Sequence, residues 1–507
     1  MGARRRGDPM PNENFFALLK SRMDLAGAAP CLSVPGGPQV SYADLDTLSA
    51  KMAGALVEAG VEPGDRVLAQ IGKSPEAVGL YLGTMRAGLV YTPLNTAYTP
   101  EEVRYFLEDA TPAVFVSAPD GDAPDGYDAA LLTLDQVGGG TLMDAAREAK
   151  PYHEICECGG DDLASILYTS GTTGRSKGAM LTHANLASNA MALHALWGFQ
   201  EGDVLAHALP IFHIHGLFVA LHTSLLNGSE TLFVPSFTSE AMRAALQRAT
   251  VMMGVPTFYT RLLADEKFTR ETCAHMRLFI SGSAPLTRET FNAFEERTGF
   301  KILERYGMSE AGMIASNPLD GDRVAGTVGF ALPDVDMRIV KDAAPAAAGE
   351  PGDLQIRGPN VFAGYWNQPE KTKEAFTDDG WFDTGDIGAI DEAGRLSLSG
   401  RAKDLIIAGG YNIYPKEIES VLDAVPGVQE SAVVGAPHPD MGEGVVAFLV
   451  AEKAQLAQET IDAALAVLAR FKHPRRFFWI DAVPRNAMGK VQKTILRREA
   501  VSAFQKD

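Results

Sequence analysis

The chain has 507 residues, of which 46% are hydrophobic and 21% are charged, and its formal net charge at pH 7 is −19. A chain of this length can bury a large core and is expected to form two or more domains. The negative charge argues against a general binder of nucleic acids or anionic membranes, because the field of the protein would repel these polyanions. Four cysteines in so long a chain do not form a disulfide framework and favour a reducing compartment.

The N-terminus is basic, but no apolar segment follows it, so no secretory signal is predicted. The sequence also lacks an uncharged apolar run of about 18 residues, the length that a membrane helix needs. We therefore expect a soluble, cytoplasmic protein that is a monomer or a weak oligomer. Two histidine-containing segments, 153–158 with two cysteines and 213–222, were considered as zinc sites, but neither has a complete ligand set at suitable spacing.

Residues 18–116 alternate helical patterns with short apolar runs, which predicts parallel βαβ units. The predicted helices cover residues 42–59 and 75–87, and the predicted strands cover residues 66–71, 90–93 and 113–116. The next segment, 117–162, is rich in Asp, Gly and Pro and is predicted to be a surface excursion before a central strand at 163–167.

The stretch that follows this central strand, YTSGTTGRSKG (168–178), combines glycines, hydroxyl side chains and Lys177, and a helical pattern begins near Thr182. Glycines let backbone N–H groups point toward one ligand, and the hydroxyl groups and the lysine add further donors, so the stretch predicts a polyphosphate site. Its spacing is not that of the Walker loop. A phosphate loop of another kind is therefore expected.

The same stretch permits other interpretations. Residues 174–178 match the GxSxG nucleophile elbow, which would make Ser176 the nucleophile of a serine hydrolase. An elbow places its serine directly after a strand, whereas here five residues, 170–174, separate Thr169 from Arg175. A non-catalytic nucleotide sensor and a glycine-rich turn without a ligand are further alternatives.

Later in the chain, apolar strand candidates at 251–255 and 278–280 run into the turns PTFYTR and SGSAPL. Ligand sites in parallel sheets gather at such carboxyl ends. A helix over 287–298 with Gly299 as its C-cap precedes a strand at 301–305 that leads into YGMSE. Residues 326–400 are predicted to be rich in short strands.

A small C-terminal domain is predicted beyond residue 400, so that the domains cover residues 1–400 and 401–507. Its helices are expected to begin at Pro415 and to cover 459–468, with strands at 431–434 and 445–450.

Four separated motifs occur together: YTSGTTGRSKG (168–178), YGMSE (306–310), FDTGD (382–386) with GRAKD (400–404), and PRNAMGKVQK (484–493). Their combination and order resemble the adenylate-forming superfamily of acyl-CoA synthetases, nonribosomal-peptide adenylation domains and luciferases, over nearly the whole chain. The resemblance implies an α/β fold, with a large N-terminal domain of parallel-type α/β sheets plus a β-rich subdomain, and a small mobile α+β C-terminal domain.

The resemblance also implies an acid–thiol ligase that uses ATP, Mg²⁺ and coenzyme A. In such enzymes a carboxylate attacks the α-phosphorus of ATP to give an acyl-adenylate and pyrophosphate, and a thiol then displaces AMP. By resemblance, the ATP-binding residues would be Thr169, Ser170, Gly171, Thr172, Thr173, Gly174, Lys177, Ser283, Ala284, Tyr306, Gly307, Asp386 and Arg401. Among them, Tyr306 would stack on adenine and Asp386 would bind the ribose with the help of Arg401.

The catalytic residues implied by the resemblance are Lys490, Glu310, Ser309 and Lys177. Glu310 would bind Mg²⁺, Ser309 would lie at the α-phosphate, and Lys490 would bridge the attacking carboxylate and the α-phosphate. Lys403 would be the hinge of the C-terminal domain, whose loop with Gly409, Gly410 and Tyr411 would replace Lys490 for thioester formation. Acetylation of Lys490 by a lysine acetyltransferase would cancel its charge.

By resemblance, the residues expected at the acid are Arg261, Arg305, Ser283 and His213. A buried arginine facing an apolar tail is costly, whereas a second substrate carboxylate would accept two hydrogen bonds from it. The segments VPTFYTR, SGSAPL and ERYGMSE resemble the malonyl-CoA synthetase branch of the superfamily. The alternatives are methylmalonate or another small or medium acid, with the arginines paired to protein acids such as Glu304 or Asp265. No carrier domain follows residue 507 in this sequence, which favours free coenzyme A as the acceptor.

Overall fold

The structure is a computed structural model and describes residues 12–121, 127–169, 176–408, 411–451, 456–486 and 489–504. The main hydrophobic core extends from Phe15 to Leu396, and the cores of the C-terminal part begin at Ile406. The division of the cores agrees with two folding units, while the boundary at residue 400 and the hinge at Lys403 stay predictions.

Two α/β sheets build most of the N-terminal part. The first has nine strands in the order β15-β14-β13-β12-β11-β9-β10-β1-β2. These strands are β1 (Pro30–Ser33), β2 (Gln39–Ser41), β9 (Val204–His207), β10 (Glu230–Phe233), β11 (Val251–Gly254), β12 (Leu278–Ser281), β13 (Leu303–Met308), β14 (Gly312–Ser316) and β15 (Phe330–Ala331). Strands β1 and β9 to β13 are parallel, as the alternating sequence pattern predicts.

The second sheet has seven strands in the order β19-β8-β7-β4-β3-β5-β6. These are β3 (Arg66–Gln70), β4 (Val90–Pro93), β5 (Val114–Ser117), β6 (Ala130–Thr133), β7 (Leu163–Thr169), β8 (Lys177–Thr182) and β19 (Gly364–Tyr365). Strands β3 to β7 are parallel. Their carboxyl ends therefore share one edge of the sheet.

The predicted β-rich segment forms a five-stranded antiparallel sheet in the order β17-β16-β18-β20-β21. Its strands are β16 (Asp336–Lys341), β17 (Ala344–Pro345), β18 (Gly352–Arg357), β20 (Phe382–Ile390) and β21 (Leu396–Arg401).

The C-terminal part contains a further five-stranded sheet, made of β22 (Ile406–Ala408), β23 (Tyr411–Ile413), β24 (Val428–His438), β25 (Gly442–Ala451) and β26 (Arg476–Trp479). Its helices are α12 (Pro415–Leu422), α13 (Gln458–Leu465) and α14 (Lys493–Glu499). The predicted fold class, a large α/β domain with a β-rich subdomain and a small α+β domain, is confirmed.

The helices of the N-terminal part are α1 (Phe15–Ala26), α2 (Tyr42–Glu58), α3 (Pro75–Arg86), α4 (Pro100–Ala110), α5 (Thr141–Glu148), α6 (His183–Leu196), α7 (His222–Asn227), α8 (Ser239–Leu246), α9 (Pro256–Ala264), α10 (Arg288–Thr298) and α11 (Pro369–Ala375). Local sequence explains where several begin, since Ser41 and Thr99 form capping boxes with Asp44 and Glu102. Gly299, with φ +82°, caps α10 as predicted. Among the helices of the described residues, none combines the length and apolarity needed to cross a bilayer.

Three segments differ from the sequence expectations. Residues 117–162 contain an edge strand, β6, and the amphipathic helix α5, whose patterns are too short to stand out in a polar segment. The PTFYTR segment begins helix α9, because Pro256 occupies its first turn. The glycine-rich loop is followed by strand β8, which pairs antiparallel with β7, so the loop closes a hairpin and does not lead directly into a helix.

Candidate active site

The candidate site lies where the β7–β8 hairpin, the carboxyl ends of β12 and β13, and the β20–β21 pair approach the C-terminal loop that carries Lys490. At the hairpin, Thr169 and Lys177 are cross-strand partners, and the Thr169 hydroxyl donates to the Lys177 carbonyl at 3.3 Å. Five residues predicted to bind phosphate lie outside the described residues: Ser170, Gly171, Thr172, Thr173 and Gly174. Their role stays a prediction.

Tyr365 connects Lys177 to Glu310. The Lys177 ammonium lies 4.3 Å from the centroid of the Tyr365 ring, and the Tyr365 hydroxyl donates to Glu310 Oε1 at 3.2 Å. Glu310 is buried, and burial raises the pKa of its carboxyl group. Ser309 precedes it and is half-buried. A buried carboxylate with this pKa shift would be stabilised in its charged form by a cation.

Asp386 is shared by Tyr306 and Arg401. The buried Tyr306 hydroxyl donates to Asp386 Oδ2 at 2.5 Å, and Arg401 Nε lies 3.0 Å from Asp386 Oδ1. The arrangement follows from strand register, because Asp386 of β20 is the direct partner of Arg401 of β21. Burial, followed by the Asp386 charge, raises the pKa of Tyr306 well above its ordinary value. The structure thus brings together three residues that the sequence placed in separate motifs.

Gly307 lies in β13 beside this group. A Cβ atom there would be 2.2 Å from the Gly312 carbonyl oxygen, so only glycine fits. Ser283 and Ala284, predicted on the opposite wall, are half-buried in the turn after β12.

Lys490 reaches the same cleft from the C-terminal part, where its side chain keeps access to solvent although protein surrounds it closely. The adjacent Gly489 packs near Thr257 of α9, since a Cβ atom there would lie 3.6 Å from the Thr257 hydroxyl oxygen. Desolvation by the surrounding protein and the charge of Arg401 lower the pKa of Lys490, while Asp386 and Glu310 oppose this effect. Lys490 therefore lies within electrostatic range of both carboxylates.

The predicted hinge and thioester-stage residues follow Arg401 along the chain. Lys403 belongs to a short 3₁₀ helix, Ala402–Asp404, and burial followed by the Arg401 charge lowers its pKa to about 8. Its carbonyl and the Asp404 carboxylate accept hydrogen bonds from Arg497. Tyr411 is exposed and stacks on Phe471, and its neighbours Gly409 and Gly410 lie outside the described residues.

Arg305 is the most unusual charged residue in the site. Its side chain is buried, and neither Nε nor Nη2 has a hydrogen-bond acceptor among the described residues. Burial lowers its pKa to about 9, which still leaves it charged at neutral pH. The guanidinium packs against Gly282 after β12. The structure therefore contains a buried cation, two of whose nitrogens have no acceptor among the residues that the structure describes.

Histidine and serine side chains lie near this cation. His215 Nδ1 lies 3.1 Å from Ser283 Oγ, and Ser283 has a left-handed φ of +71°, which a side chain adopts only when its surroundings enforce it. His215 Nε2 has no partner among the described residues. Burial, followed by the charges of Lys490 and Arg305, lowers the pKa of His213 to about 3, so this imidazole is neutral at pH 7.

Arg261 has a different environment, because it is exposed on the last turn of α9. Neither acid considered as a partner for the two arginines fills that role. Asp265 pairs with Arg243 at 2.7 Å, and Glu304 Oε1 accepts from the Leu286 N–H at 3.1 Å. Of the two arginines predicted at the acid, only Arg305 is buried, and its Nε and Nη2 have no acceptor among the described residues. The role of Arg261 stays a prediction.

Sequence reasoning left two residues out of the site. His215 lies in the 213–222 segment, which the sequence indicated only as a zinc candidate, although its spacing from His213 was a usable signal. Tyr365 belongs to the two-residue strand β19 and showed no signal, because its importance depends on contacts with Glu310 and Lys177 across long sequence separations.

Comparisons with known proteins agree with this architecture. The sequence pattern of the AMP-binding enzyme family matches residues 23–366, and that of the AMP-binding enzyme C-terminal domain matches residues 417–490. A long-chain-fatty-acid–CoA ligase of Mycobacterium tuberculosis, FadD13, is 33% identical over 91% of this chain and 93% of its own length. A malonate–CoA ligase of Arabidopsis thaliana is 36% identical over 84% of this chain and 76% of its own.

Among solved structures, ATP-bound MatB from Rhodopseudomonas palustris is 49% identical and superposes with a TM-score of 0.94, covering 97% of this chain and 100% of that one. The apo form of MatB, with the same identity and coverage, superposes with a TM-score of 0.84. The structure described here is therefore more similar overall to the ATP-bound form.

Proposed function

The chain belongs to the AMP-binding enzyme family and is an acyl-CoA ligase, and on this premise we propose that it is a malonyl-CoA synthetase. The reaction has two steps. Malonate attacks the α-phosphorus of ATP, forming malonyl-AMP and releasing pyrophosphate. The thiol of coenzyme A then attacks the acyl carbon, forming malonyl-CoA and releasing AMP.

The observation that carries this proposal is the buried guanidinium of Arg305, whose Nε and Nη2 have no acceptor within the described part of the chain. Burying a charge without a partner costs several kcal/mol, so a site that retains one is expected to gain its partner from the ligand. The distal carboxylate of malonate would accept hydrogen bonds from the guanidinium, whereas the chain of a fatty acid would leave it unpaired. The similarity to a malonate–CoA ligase supports the same choice.

Ser283 and His215 extend the proposed acid subsite. The hydroxyl and imidazole are already joined by a hydrogen bond, and the unpartnered His215 Nε2 offers either a donor or an acceptor, depending on the tautomer. Because the pKa of His215 is also lowered, by burial first and by Arg305 second, a neutral ring is expected at pH 7. We assign His213 to the lining of this subsite.

For ATP, we assign Asp386 and Arg401 to the ribose, Tyr306 and the 282–284 turn to adenine, and Lys177 with the glycine-rich loop to the outgoing pyrophosphate. The buried Glu310 carboxylate fits Mg²⁺, because burial raises its pKa in spite of the Tyr365 hydrogen bond and the charges of Arg401 and Lys490, so a bound cation would further stabilise the charged form. Bound Mg²⁺ would neutralise charge on the phosphate oxygens.

Lys490 is assigned to the first step. Its position near Asp386, Glu310 and Arg305 would let its ammonium group contact both the attacking carboxylate and the α-phosphate. We assign Lys403 to the hinge, and Gly409, Gly410 and Tyr411 to the second step, for which the C-terminal domain would have to reorient.

The test is pyrophosphate release with malonate, methylmalonate, succinate, acetate and benzoate as acids. We expect the highest kcat/KM with malonate. The kcat/KM with methylmalonate decides between these two acids. Arg305→Ala should raise the KM for malonate at least about 30-fold, because a charged partner contributes roughly 2–5 kcal/mol, while the KM for ATP stays within about twofold. Arg261→Ala is the matched comparison at an exposed arginine. Equal activity on monocarboxylates by the wild-type enzyme would contradict the proposal.

The serine-hydrolase alternative is weakened by the local fold. The Ser176 segment lies in a hairpin between antiparallel strands, whereas a nucleophile elbow joins a strand to a helix. Ser176→Ala should keep acid-dependent ATP–pyrophosphate exchange. Loss of this exchange together with detectable esterase activity in the wild type would favour the hydrolase, and ATP binding without any acid-dependent exchange would favour the nucleotide sensor.

A further inference from the structure

Helix α4 ends at the candidate site with an unexpected charge. Asp109 lies in its last turn, where the partial negative charge of the helix terminus disfavours a carboxylate. The Tyr168 hydroxyl, at the end of β7, donates to Asp109 Oδ2 at 2.5 Å. The Tyr168 ring also packs against Phe106 of α4, with 4.6 Å between ring centroids. The strand that leads into the phosphate loop is thus attached to this helix end.

The backbone of the same aspartate holds a second segment. The Asp109 carbonyl accepts hydrogen bonds from Trp366 Nε1 and Asn367 Nδ2, both at 3.0 Å. Asn367 has a φ of +54°, a left-handed conformation that asparagine tolerates better than most residues but that still needs support. Its side-chain bond to Asp109 supplies this support.

The two attached segments carry the side chains assigned to phosphate and metal. Tyr168 adjoins Thr169, the cross-strand partner of Lys177, and the Trp366 N–H donates to the Gly178 carbonyl at 2.8 Å. Tyr365, next to Trp366, contacts both Lys177 and Glu310. On the same helix, the Tyr105 hydroxyl donates to the Ser176 carbonyl at 2.6 Å. The end of α4 therefore contacts both flanks of the phosphate loop.

We propose that Asp109 is a positioning residue for ATP, which sets the distance between the β7–β8 hairpin and the Tyr365–Glu310 pair through Tyr168 on one side and Trp366 and Asn367 on the other. The inference rests on the proposed function, because it takes Lys177 and Glu310 as ligands of ATP and its metal. Asp109 itself has no contact with the acid subsite around Arg305 among the described residues. Its loss is therefore expected to change the KM for ATP and to leave the KM for the acid unchanged.

The test compares Tyr168→Phe, which removes one hydroxyl group, with Asn367→Gly, which keeps the left-handed conformation accessible and removes only the side-chain bond. Each should raise the KM for ATP, and for pyrophosphate in the reverse exchange, about fivefold to tenfold, with the KM for the acid within about twofold. The double variant Asp109→Asn with Tyr168→Phe should raise the KM for ATP by less than the product of the two single fold-changes, because both substitutions affect the same hydrogen bond.

The control is Tyr42→Phe, since Tyr42 is buried and its hydroxyl donates to the Ser229 carbonyl at 2.7 Å, away from the site. This variant should lower the melting temperature, but it should not raise the KM for ATP relative to the KM for the acid. An unchanged KM for ATP in both test variants, or an equal rise in the KM for the acid, would overturn the inference. These assays use the acid that the wild-type enzyme activates fastest. If that acid is not malonate, the proposed substrate is wrong, but the test of Asp109 is unaffected.

Discussion

The guanidinium group of Arg305 lies directly over the backbone of Gly282, so that a Cβ atom at Gly282 would be 2.5 Å from the guanidinium carbon. The two residues lie on neighbouring parallel segments, after β12 and within β13. The absence of a side chain at residue 282 leaves the space that the buried cation occupies. The acid specificity proposed here therefore depends on a glycine as well as on an arginine.

Gly282→Ala is predicted to weaken the use of malonate selectively. Because the clashing group is the end of a flexible side chain, the fold should persist while the guanidinium is displaced. We expect the KM for malonate to rise about tenfold or more, a loss of about 1.4 kcal/mol, in steady-state pyrophosphate-release assays. Gly254→Ala is the control, because its Cβ atom would meet Phe258 and Met252 and not Arg305. Equal effects of both substitutions would argue against the Gly282–Arg305 relationship.

Tyr306→Phe is predicted to affect ATP and not the acid. The ring remains available for stacking, but Asp386 Oδ2 loses the hydrogen bond from the phenol. A hydrogen bond to a charged group contributes roughly 1.5–3 kcal/mol, so a rise of about tenfold or more in the KM for ATP is expected. Isothermal titration with ATP would measure the change directly. An unchanged affinity would show that Arg401 alone orients Asp386 sufficiently.

Lys490→Ala is predicted to separate the two half-reactions. Adenylation should fall by at least about 100-fold, because the ammonium group near Asp386 and Glu310 is removed. Formation of malonyl-CoA from chemically prepared malonyl-AMP should stay within about threefold of the wild type. If both half-reactions fell together, Lys490 would not be specific to the first step. Acetylation of Lys490 should reproduce the same pattern, since it removes the same charge.

Glu304 is predicted to make stability depend on pH. It is buried, Oε2 has no partner among the described residues, and burial raises its pKa from 4.5 to about 7. Between these values the unfolded chain has lost the proton and the folded chain retains it, so stability falls as pH rises from about 4.5 to about 7. The total contribution is about 3 kcal/mol.

The substitution Glu304→Gln removes this titration. The melting temperature of the variant, relative to that of the wild type, should therefore rise steadily between pH 5 and pH 7.5. The difference between the two proteins isolates Glu304 from other groups whose pKa values are shifted, such as Glu310. A difference in melting temperature that does not change with pH would contradict the prediction.

Much of the fold followed from local sequence. The capping box at Ser41 and the glycine cap at residue 299 mark helix ends through contacts within one turn, and the predicted boundaries were accurate there, whereas helix α4, which Thr99 caps, was not predicted. The predictions were wrong for the segments that form β6, β8 and α5. These segments are short or polar, and their structure depends on pairing or packing with distant residues.

For the site, sequence by itself determined the family and the class of reaction, because the four motifs are contiguous stretches that can be identified without the fold. Tertiary structure decided which of the two predicted arginines is the stronger candidate for the acid. Arg305 is buried because β13 lies inside the first sheet, whereas Arg261 is exposed because it lies on the outer turn of α9. Sequence also gave no sign of Tyr365 or Asp109, because burial and long-range contacts depend on how strands and helices pack, and no local pattern records that.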